Sequence, residues 1–265
     1  MTKRRITQVF SLILLHSSWG PELKWFCNPV LSCHSCVLSW FACPIGVFIH
    51  YSGYHLFPFI ALGTVLLLGV FFGKLFCGWV CPFGLLQDLL HKIPTRKFAL
   101  PGWSGNLKYL VLVLMVFLIP FFLGEETMYS FCRICPASAL QVTLPNIVAS
   151  GSLVLPAVGL VKLSFLAVVL LAVVISSRAF CKAFCPLGAL LAPLNLISFW
   201  KVKVPTDSCI SCEKCDDICP SSISPSSRIL EGIPSNRSLD CVVCHDCRSV
   251  CPLKDKESEA EQPGF

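Results

Sequence analysis

Two cysteine runs near the end of the chain have the spacing of iron–sulfur ligands. They read CISCEKCDDICP from Cys209 and CVVCHDCRSVCP from Cys241, and both fit Cys-x-x-Cys-x-x-Cys-x-x-x-Cys-Pro. Three thiolates spaced in this way wrap one cube on a tight loop, and the fourth leaves toward a second cube. The spacing therefore predicts two [4Fe-4S] clusters.

The fourth cysteine of each run is expected to bind the cluster of the other run. The predicted ligands of the first cluster are Cys209, Cys212, Cys215 and Cys251. Those of the second cluster are Cys241, Cys244, Cys247 and Cys219. A zinc ribbon normally offers two pairs of ligands without the Cys-Pro ending, and a reducing cytoplasm disfavours disulfides. Iron–sulfur clusters are therefore the favoured interpretation.

A different cysteine pattern occurs twice in the apolar part of the chain. FCGWVCPFG runs from Phe76 to Gly84 and FCKAFCPLG from Phe180 to Gly188. Their cysteines are Cys77, Cys81, Cys181 and Cys185. Because proline favours the first turn of a helix, the second cysteine of each pair is predicted at a helix start, where the dipole stabilises a thiolate.

Three interpretations of these four inner cysteines stay open. The first is an additional iron–sulfur site at the interface of two repeats. The second is two redox-active thiol pairs, and the third is packing as small apolar side chains.

Six further cysteines lie in segments expected on the opposite side of the membrane: Cys27, Cys33, Cys36, Cys43, Cys132 and Cys135. Disulfides or structural thiols are favoured for these six, with metal binding as the alternative.

The composition indicates that a membrane protein carries these motifs. Of 265 residues, 55% are hydrophobic and 14% are charged, and the mean hydropathy is +0.73. This is too apolar for an ordinary soluble domain. The net charge of +6 does not indicate nucleic-acid binding, because Lys and Arg gather at the ends of apolar segments, where membrane topology explains them.

Four segments are predicted to cross the membrane, since a spanning helix needs about 20 mostly apolar residues. They are Ile6 to Trp19, Leu56 to Gly73, Leu107 to Gly124, and a segment between Leu155 and Ile175. The first is short and has a basic start, so a cleaved signal peptide is its alternative. Lys and Arg predominate on one side, which predicts a multi-pass protein of the inner membrane with both termini in the cytoplasm.

The chain also repeats its own order of elements. Each half runs span, outer Cys-Pro loop, span and inner Phe-Cys-x-x-x-Cys-Pro-x-Gly, and such repeats place shared sites at their interface. The predicted fold is an α-helical membrane protein with four transmembrane helices in two repeated halves, followed by a small C-terminal α+β two-cluster ferredoxin-like domain. The membrane domain is predicted at 1–204, the cytoplasmic ferredoxin domain at 205–254, and an acidic tail at 255–265.

The ferredoxin domain is too small to bury much core, so the clusters are expected to hold it together. Between its two motifs, a short apolar piece from Ile229 to Ile233 is predicted to form a strand or hairpin.

These features together resemble the NapH-like membrane ferredoxins, which are quinol dehydrogenase subunits that pass electrons toward periplasmic nitrate reductase. The resemblance rests on FCGWVCPFG, FCKAFCPLG and the double ferredoxin tail. It implies a membrane-bound iron–sulfur protein that passes electrons between the quinone pool and a partner oxidoreductase, as a subunit rather than a complete enzyme. The implied partners are membrane lipid, quinone and other redox proteins, and no nucleic acid.

Polar residues near either interface are candidates for binding a quinone head group. The outer candidates are His34, His50, His55, Glu125 and Glu126, and the inner ones are Gln87, Asp88 and His91. The alternative function is a redox-sensing or maturation protein that uses its clusters and membrane thiols. A transporter is disfavoured because the spans hold almost no charged residues beyond Lys162.

Overall fold

The chain folds mostly into helices. The computed structural model describes residues 3–98, 100–150, 157–202, 204 and 209–253. The predicted acidic tail at 255–265 and the start of the predicted ferredoxin domain at 205–208 lie outside the described residues.

The first half of the chain contains five helices and a small parallel sheet. The helices are α1 Lys3–Leu15, α2 Pro44–Gly53, α3 Phe59–Phe72, α4 Leu75–Trp79 and α5 Pro82–Leu90. The sheet pairs β1 Leu23–Cys27 with β2 Phe41–Ala42 in the outer loop between α1 and α2.

The second half also alternates short and long helices. One continuous helix consists of α6 Ser104–Val111, the π-helical turns Leu112–Leu118 and α7 Ile119–Leu123. After α8 Phe131–Ile134, a further run consists of α9 Pro136–Ser138, the π-helical turns Ala139–Thr143 and α10 Leu144–Ser150. The half ends with α11 Ala157–Ile175, α12 Ala179–Ala183 and α13 Pro186–Ile197.

Two helices are long and apolar enough to cross a membrane. They are Ser104–Leu123 and Ala157–Ile175, with 20 and 19 residues, and they match the predicted third and fourth spans. Large apolar side chains on them, such as Phe122 and Leu171, are exposed, as expected for lipid-facing positions. The helices in the other two predicted spans, α1 and α3, have 13 and 14 residues among those described and are shorter than a full span.

Four helices begin in the same way, at a proline that directly follows a cysteine. The four cysteines that precede these helices are Cys43, Cys81, Cys135 and Cys185, and the prolines are Pro44, Pro82, Pro136 and Pro186. Each cysteine has an extended ψ of 109° to 123°, because the following proline ring disfavours the helical conformation there. This confirms the helix starts predicted at the two inner motifs and adds two at the outer end.

Helix α13 lies inside the bundle rather than at its surface. It packs against α3 and α6, and Leu187, Leu191 and Ala192 are buried. A helix that is apolar on nearly all sides is stable only when other elements cover it. Helix α5 is more amphipathic, and it buries Phe83 while it exposes Leu89.

The described part of the tail, 209–253, contains three helices and no strand. They are α14 Lys214–Asp217, α15 Pro225–Leu230 and α16 Asp246–Val250. The prediction of a strand or hairpin at Ile229 to Ile233 is therefore wrong, and so is the β part of the predicted α+β domain. Pro225 starts α15 at its first turn, and the chain turns at Gly232, where φ is +72°.

The tail docks on the inner end of the bundle through buried polar contacts. Asn195 donates from Nδ2 to the carbonyls of Asn236 and Ser238, both at 2.8 Å, and Trp79 Nε1 donates to the Val243 carbonyl at 3.1 Å. The docked tail therefore lies directly against the inner Cys-Pro motifs. Two ion pairs lie in the same interface. One joins Lys108 and Asp240, and the other joins Arg4 Nη1 and Asp246 Oδ2 at 3.1 Å.

Candidate iron–sulfur sites

The two tail motifs fold into loops of matching shape. Corresponding residues of the two motifs have left-handed backbones, with φ between +52° and +64°: Ser211 and Glu213 in the first, Val243 and His245 in the second. Such turns point successive backbone N–H groups toward one side and form cradles for anions, iron–sulfur clusters included. A β-branched residue such as Val243 rarely adopts this conformation, so the loop shape does not follow from local preference.

The predicted first ligand set shares one pocket. Cys209, Cys212, Cys215 and Cys251 all line it, together with Cys247 from the second set. The chain thus brings the last cysteine of the second motif to the first three of the first motif. Assignment of these four side chains as cluster ligands stays a prediction.

Three members of the predicted second set also lie together. The thiol of Cys241 interacts electrostatically with those of Cys247 and Cys219, and the Val243 N–H donates to Cys241 Sγ at 3.4 Å. The thiol of Cys244 instead interacts electrostatically with Asp246 and Arg178. The contacts of the second ligand set thus join three of its four members, Cys241, Cys247 and Cys219.

Burial dominates the acidity of the tail thiols. It raises the pKa of Cys241 to about 12 and that of Cys215 to about 11. Thiols with such values are protonated at neutral pH, and metal binding must displace their protons.

The structure brings the four inner cysteines together from both halves of the chain. Cys77, Cys181 and Cys185 line one pocket, and the Cys81 thiol interacts electrostatically with that of Cys77. Asp240 of the tail lines the same pocket, so the tail closes it from the inner side.

Two hydrogen bonds to sulfur fix the second inner motif. Gln87 donates from Nε2 to Cys181 Sγ at 2.9 Å, and the Gly188 N–H donates to Cys185 Sγ at 3.3 Å. Burial raises the pKa of Cys181 to about 11 and that of Cys185 well above its ordinary value, and the hydrogen bond from Gly188 acts on Cys185 in the opposite direction. Stabilised thiolates at the helix starts stay a prediction.

Buried cations surround the inner pocket. Arg178 is 1% exposed and makes two hydrogen bonds to Asp88, at 2.8 and 2.7 Å. Lys74 is 3% exposed, donates to the Leu239 carbonyl at 2.6 Å and, among the described residues, pairs with no carboxylate. A buried ammonium without a carboxylate partner is costly unless another anion lies beside it. A thiolate-bound iron–sulfur cube is such an anion, so the residues of this pocket fit one.

The spacing of these side chains does not fit a mononuclear metal site. Among the described residues, no group of three or more His, Cys, Asp or Glu side chains is arranged to hold a metal ion. In a cube each cysteine binds a different iron, so the four sulfurs lie farther apart than those around one zinc ion. The cysteine sets therefore fit clusters better than zinc.

The predicted quinone-binding residues differ in the contacts that they make within the protein and in the pockets that they line. At the outer end, His34, His50, Glu125 and Glu126 line one polar pocket, in which His50 pairs with Glu125. His55 instead packs against the Phe121 ring. At the inner end, Gln87 donates to Cys181 and Asp88 pairs with Arg178, and both Asp88 and His91 line a wide pocket beside the tail.

Sequence reasoning missed the cations that surround the inner cysteines. Lys74 and Arg178 each stand three residues before the first cysteine of an inner motif, and this shared spacing is a sequence signal for a cation beside each cysteine pair. The sequence analysis instead explains Lys and Arg at the ends of apolar segments by membrane topology. Their burial depends on how the tail docks, which the local sequence does not reveal.

Comparison with known proteins gives two matches to one family model, described as a 4Fe-4S binding domain. The matches cover residues 54–101 and 158–205. They contain both inner Cys-x-x-x-Cys-Pro motifs and end before the tail motifs begin.

Three relatives extend this likeness. An uncharacterised protein of Methanocaldococcus jannaschii is 29% identical over 178 residues, which is 63% of this chain and 67% of the relative. The putative electron transport protein YccM of Escherichia coli is 27% identical over 207 residues, 75% of this chain and 54% of the relative. The ferredoxin-type protein NapH of Haemophilus influenzae is 28% identical over 161 residues, 59% of this chain and 50% of the relative.

These matches support placing the chain with the NapH-like membrane ferredoxins. This is a family of iron–sulfur electron-transport proteins, and the repeated family match supports iron–sulfur clusters in this chain. The chain spans about half the length of YccM and NapH. No solved structure matches the chain significantly.

Proposed function

We propose that this protein passes electrons between the membrane quinone pool and a partner oxidoreductase. One observation carries the proposal: Lys74 lies beside both the tail motif and the inner pocket. Its ammonium interacts electrostatically with Cys241 of the tail and with Cys77 and Cys185 of the bundle. Two cysteine sets that share one buried cation are close enough to serve consecutive steps of a relay.

Each set of residues has a defined task in this proposal. The eight tail cysteines hold two [4Fe-4S] clusters, and Cys77, Cys81, Cys181 and Cys185 hold a third. The clusters supply one-electron chemistry when they are bound. Lys74 and Arg178 offset the negative charge that accumulates on reduction, and Gln87 stabilises sulfur through its hydrogen bond.

The proposal includes a four-span, two-half arrangement with both termini in the cytoplasm. Two long helices support it directly, and the four Cys-Pro helix starts divide equally between the two halves. The excess of Lys and Arg at the inner end supports the orientation.

The outer polar pocket is the proposed site for the quinone head group. His50 and Glu125 form an ion pair there, and quinol oxidation requires groups that accept protons. Glu126 and Arg133 also line this pocket and offer further hydrogen-bonding groups. On the inner side, the partner protein that exchanges electrons with the clusters is expected to contact the tail, where Cys212 is exposed.

Quinol-driven reduction in lipid vesicles tests the proposal. The full chain is purified without oxygen, placed in vesicles that contain a reduced quinone, and followed by visible absorption and EPR. We expect the iron–sulfur absorption to bleach with quinol and not in vesicles without it. His50→Ala should slow the reaction with quinol and leave reduction by dithionite unchanged. Clusters that dithionite reduces, but that exchange no electrons with quinol or quinone, would contradict the quinone-linked function.

A further inference from the structure

A second four-cysteine pocket lies at the outer end of the bundle. Cys33, Cys43, Cys132 and Cys135 line it, and its other lining residues are mostly apolar. Two further outer cysteines, Cys27 and Cys36, are equally buried but do not line this pocket. The chain therefore separates its outer cysteines into a set of four and a remainder of two.

This outer pocket has the same construction as the inner one. Cys43 and Cys135 each precede the proline that starts a helix, as Cys185 does at the inner end. The backbone N–H groups of Gly46 and Ser138, three residues after these cysteines, face the two thiols in the way that Gly188 faces Cys185. Each half of the chain again supplies two of the four cysteines.

The helices that start at this pocket are long enough to present their ends to a ligand. Helix α2 has 10 residues, and the helical run that starts at Pro136 continues to Ser150. Cys33 enters from a loop that Gln141 fixes, because Gln141 Oε1 accepts from the Cys33 N–H at 2.6 Å and its Nε2 donates to the Leu31 carbonyl at 3.2 Å. Both halves thus hold their cysteines on fixed backbone.

A cation from a membrane helix lies beside this pocket. Lys162 is the one charged residue between Ala157 and Ile175, donates to Ser138 Oγ at 3.0 Å, and interacts electrostatically with Cys132 and Cys135. Lys162 also lines the adjoining polar pocket that contains Glu125 and Glu126, although among the described residues it forms no salt bridge. The outer pocket therefore resembles the inner one in having four thiols with a lysine nearby.

The rival occupants fit less well. A zinc ion needs its ligands around one point, and among the described residues no such group exists. All 18 cysteines, each of them in the described part of the chain, are free thiols. Two disulfides would be uncharged and would not account for a lysine beside Cys132 and Cys135.

We propose that Cys33, Cys43, Cys132 and Cys135 bind a fourth [4Fe-4S] cluster at the outer end of the membrane domain. This inference goes beyond the proposed function and does not depend on it.

Serine variants of the full chain test this site against matched controls. Cys43→Ser and Cys135→Ser remove a ligand from the outer set, whereas Cys27→Ser and Cys36→Ser change buried outer cysteines that do not line the pocket. We expect each of the first two variants to lose about four irons and about four sulfides per chain, and the controls to lose none. EPR signals from the other clusters should persist. An unchanged iron content in Cys43→Ser and Cys135→Ser would overturn the inference.

The iron content of the unaltered chain decides the question independently if a variant does not fold. About sixteen irons per chain support four clusters, whereas about twelve limit the clusters to the tail and the inner pocket. About one zinc per chain that is absent from Cys135→Ser would also overturn the inference. Complete absence of iron would instead contradict the proposed function, so the two failures are distinguishable.

Discussion

At the scale of single residues, the most informative side chain is Lys74. It is 3% exposed, it anchors the tail through the Leu239 carbonyl, and it lies beside cysteines of two sites. Burial, its largest influence, lowers the pKa of Lys74, while Cys77 and Asp240 act in the opposite direction. The positive charge of Lys74, which can stabilise a reduced cluster, therefore depends on the negative groups that lie beside it.

Replacing this lysine should make the neighbouring clusters harder to reduce. In Lys74→Met the added electron loses a nearby positive charge, so we expect the midpoint potential to fall by on the order of tens of millivolts. A redox titration followed by EPR measures the shift. Lys74→Arg keeps the charge and should restore most of the potential, and Lys97→Met, which alters an exposed lysine, should leave it unchanged. A potential that is equally unchanged in Lys74→Met would contradict this role.

The grouping of Cys209, Cys212 and Cys215 in one pocket was predictable from sequence, because the three cysteines lie within seven residues of one another at a spacing typical of cluster ligands. The burial of Lys74 and the outer position of Lys162 beside Cys135 were not predictable. They depend on contacts between segments far apart in the chain, for which a single sequence contains no local signal.

At the scale of elements, the Cys-Pro helix start is the unit that the chain uses at both ends of the bundle. The proline after each cysteine ensures that the helix begins at a defined residue, and the thiol stays at its N-terminus. The tail then closes the inner pocket by close backbone contact. A Cβ on Gly78 would lie 2.3 Å from the Val242 carbonyl oxygen, so only glycine permits this approach.

Gly78→Ala should therefore weaken docking of the tail. Because the clashing atom belongs to the backbone, we expect a loss of about 1–3 kcal/mol in the docked state. Faster hydrogen exchange in residues 239–243, measured by mass spectrometry, would report it. Gly63→Ala is the matched control, since a Cβ there meets nothing within 4 Å. Equal exchange in both variants would show that the tail does not depend on this contact.

Helix positions in the sequence were more predictable than their environment. The two long spans and the inner helix starts follow from apolar length and from proline, which act locally. The burial of α13 and the helix α15 at Pro225–Leu230 did not follow. The first depends on packing against α3, and the second begins at Pro225, a residue favoured in the first turn of a helix.

At the scale of the whole molecule, the tail and the bundle differ in what stabilises them. The bundle has a large apolar core, whereas among the described residues the core cluster of the tail consists of Val202, Val204, Ile229 and Val243, packed against Leu75 and partly buried cysteines. A domain with so little buried apolar surface needs another source of stability, which we propose the clusters supply.

Iron removal should consequently unfold the tail and leave the bundle helical. We expect a chelator under anaerobic conditions to abolish hydrogen-exchange protection in residues 209–253, while the helices Ser104–Leu123 and Ala157–Ile175 keep theirs. Reconstitution with iron and sulfide should restore protection in the tail. A tail that stays protected without iron would contradict a structural role for the clusters.

The central claim is that iron–sulfur clusters lie both in the tail and in the adjoining inner pocket. The most direct test is the iron and acid-labile sulfide content of the anaerobically purified full chain, compared with that of a Cys77→Ser, Cys181→Ser double variant. The account predicts at least about twelve irons in the unaltered chain and about four fewer in the variant, with the tail signals retained in EPR. Equal iron in both proteins would show that the inner cysteines hold no cluster, and a chain without iron would contradict the electron-transfer function itself.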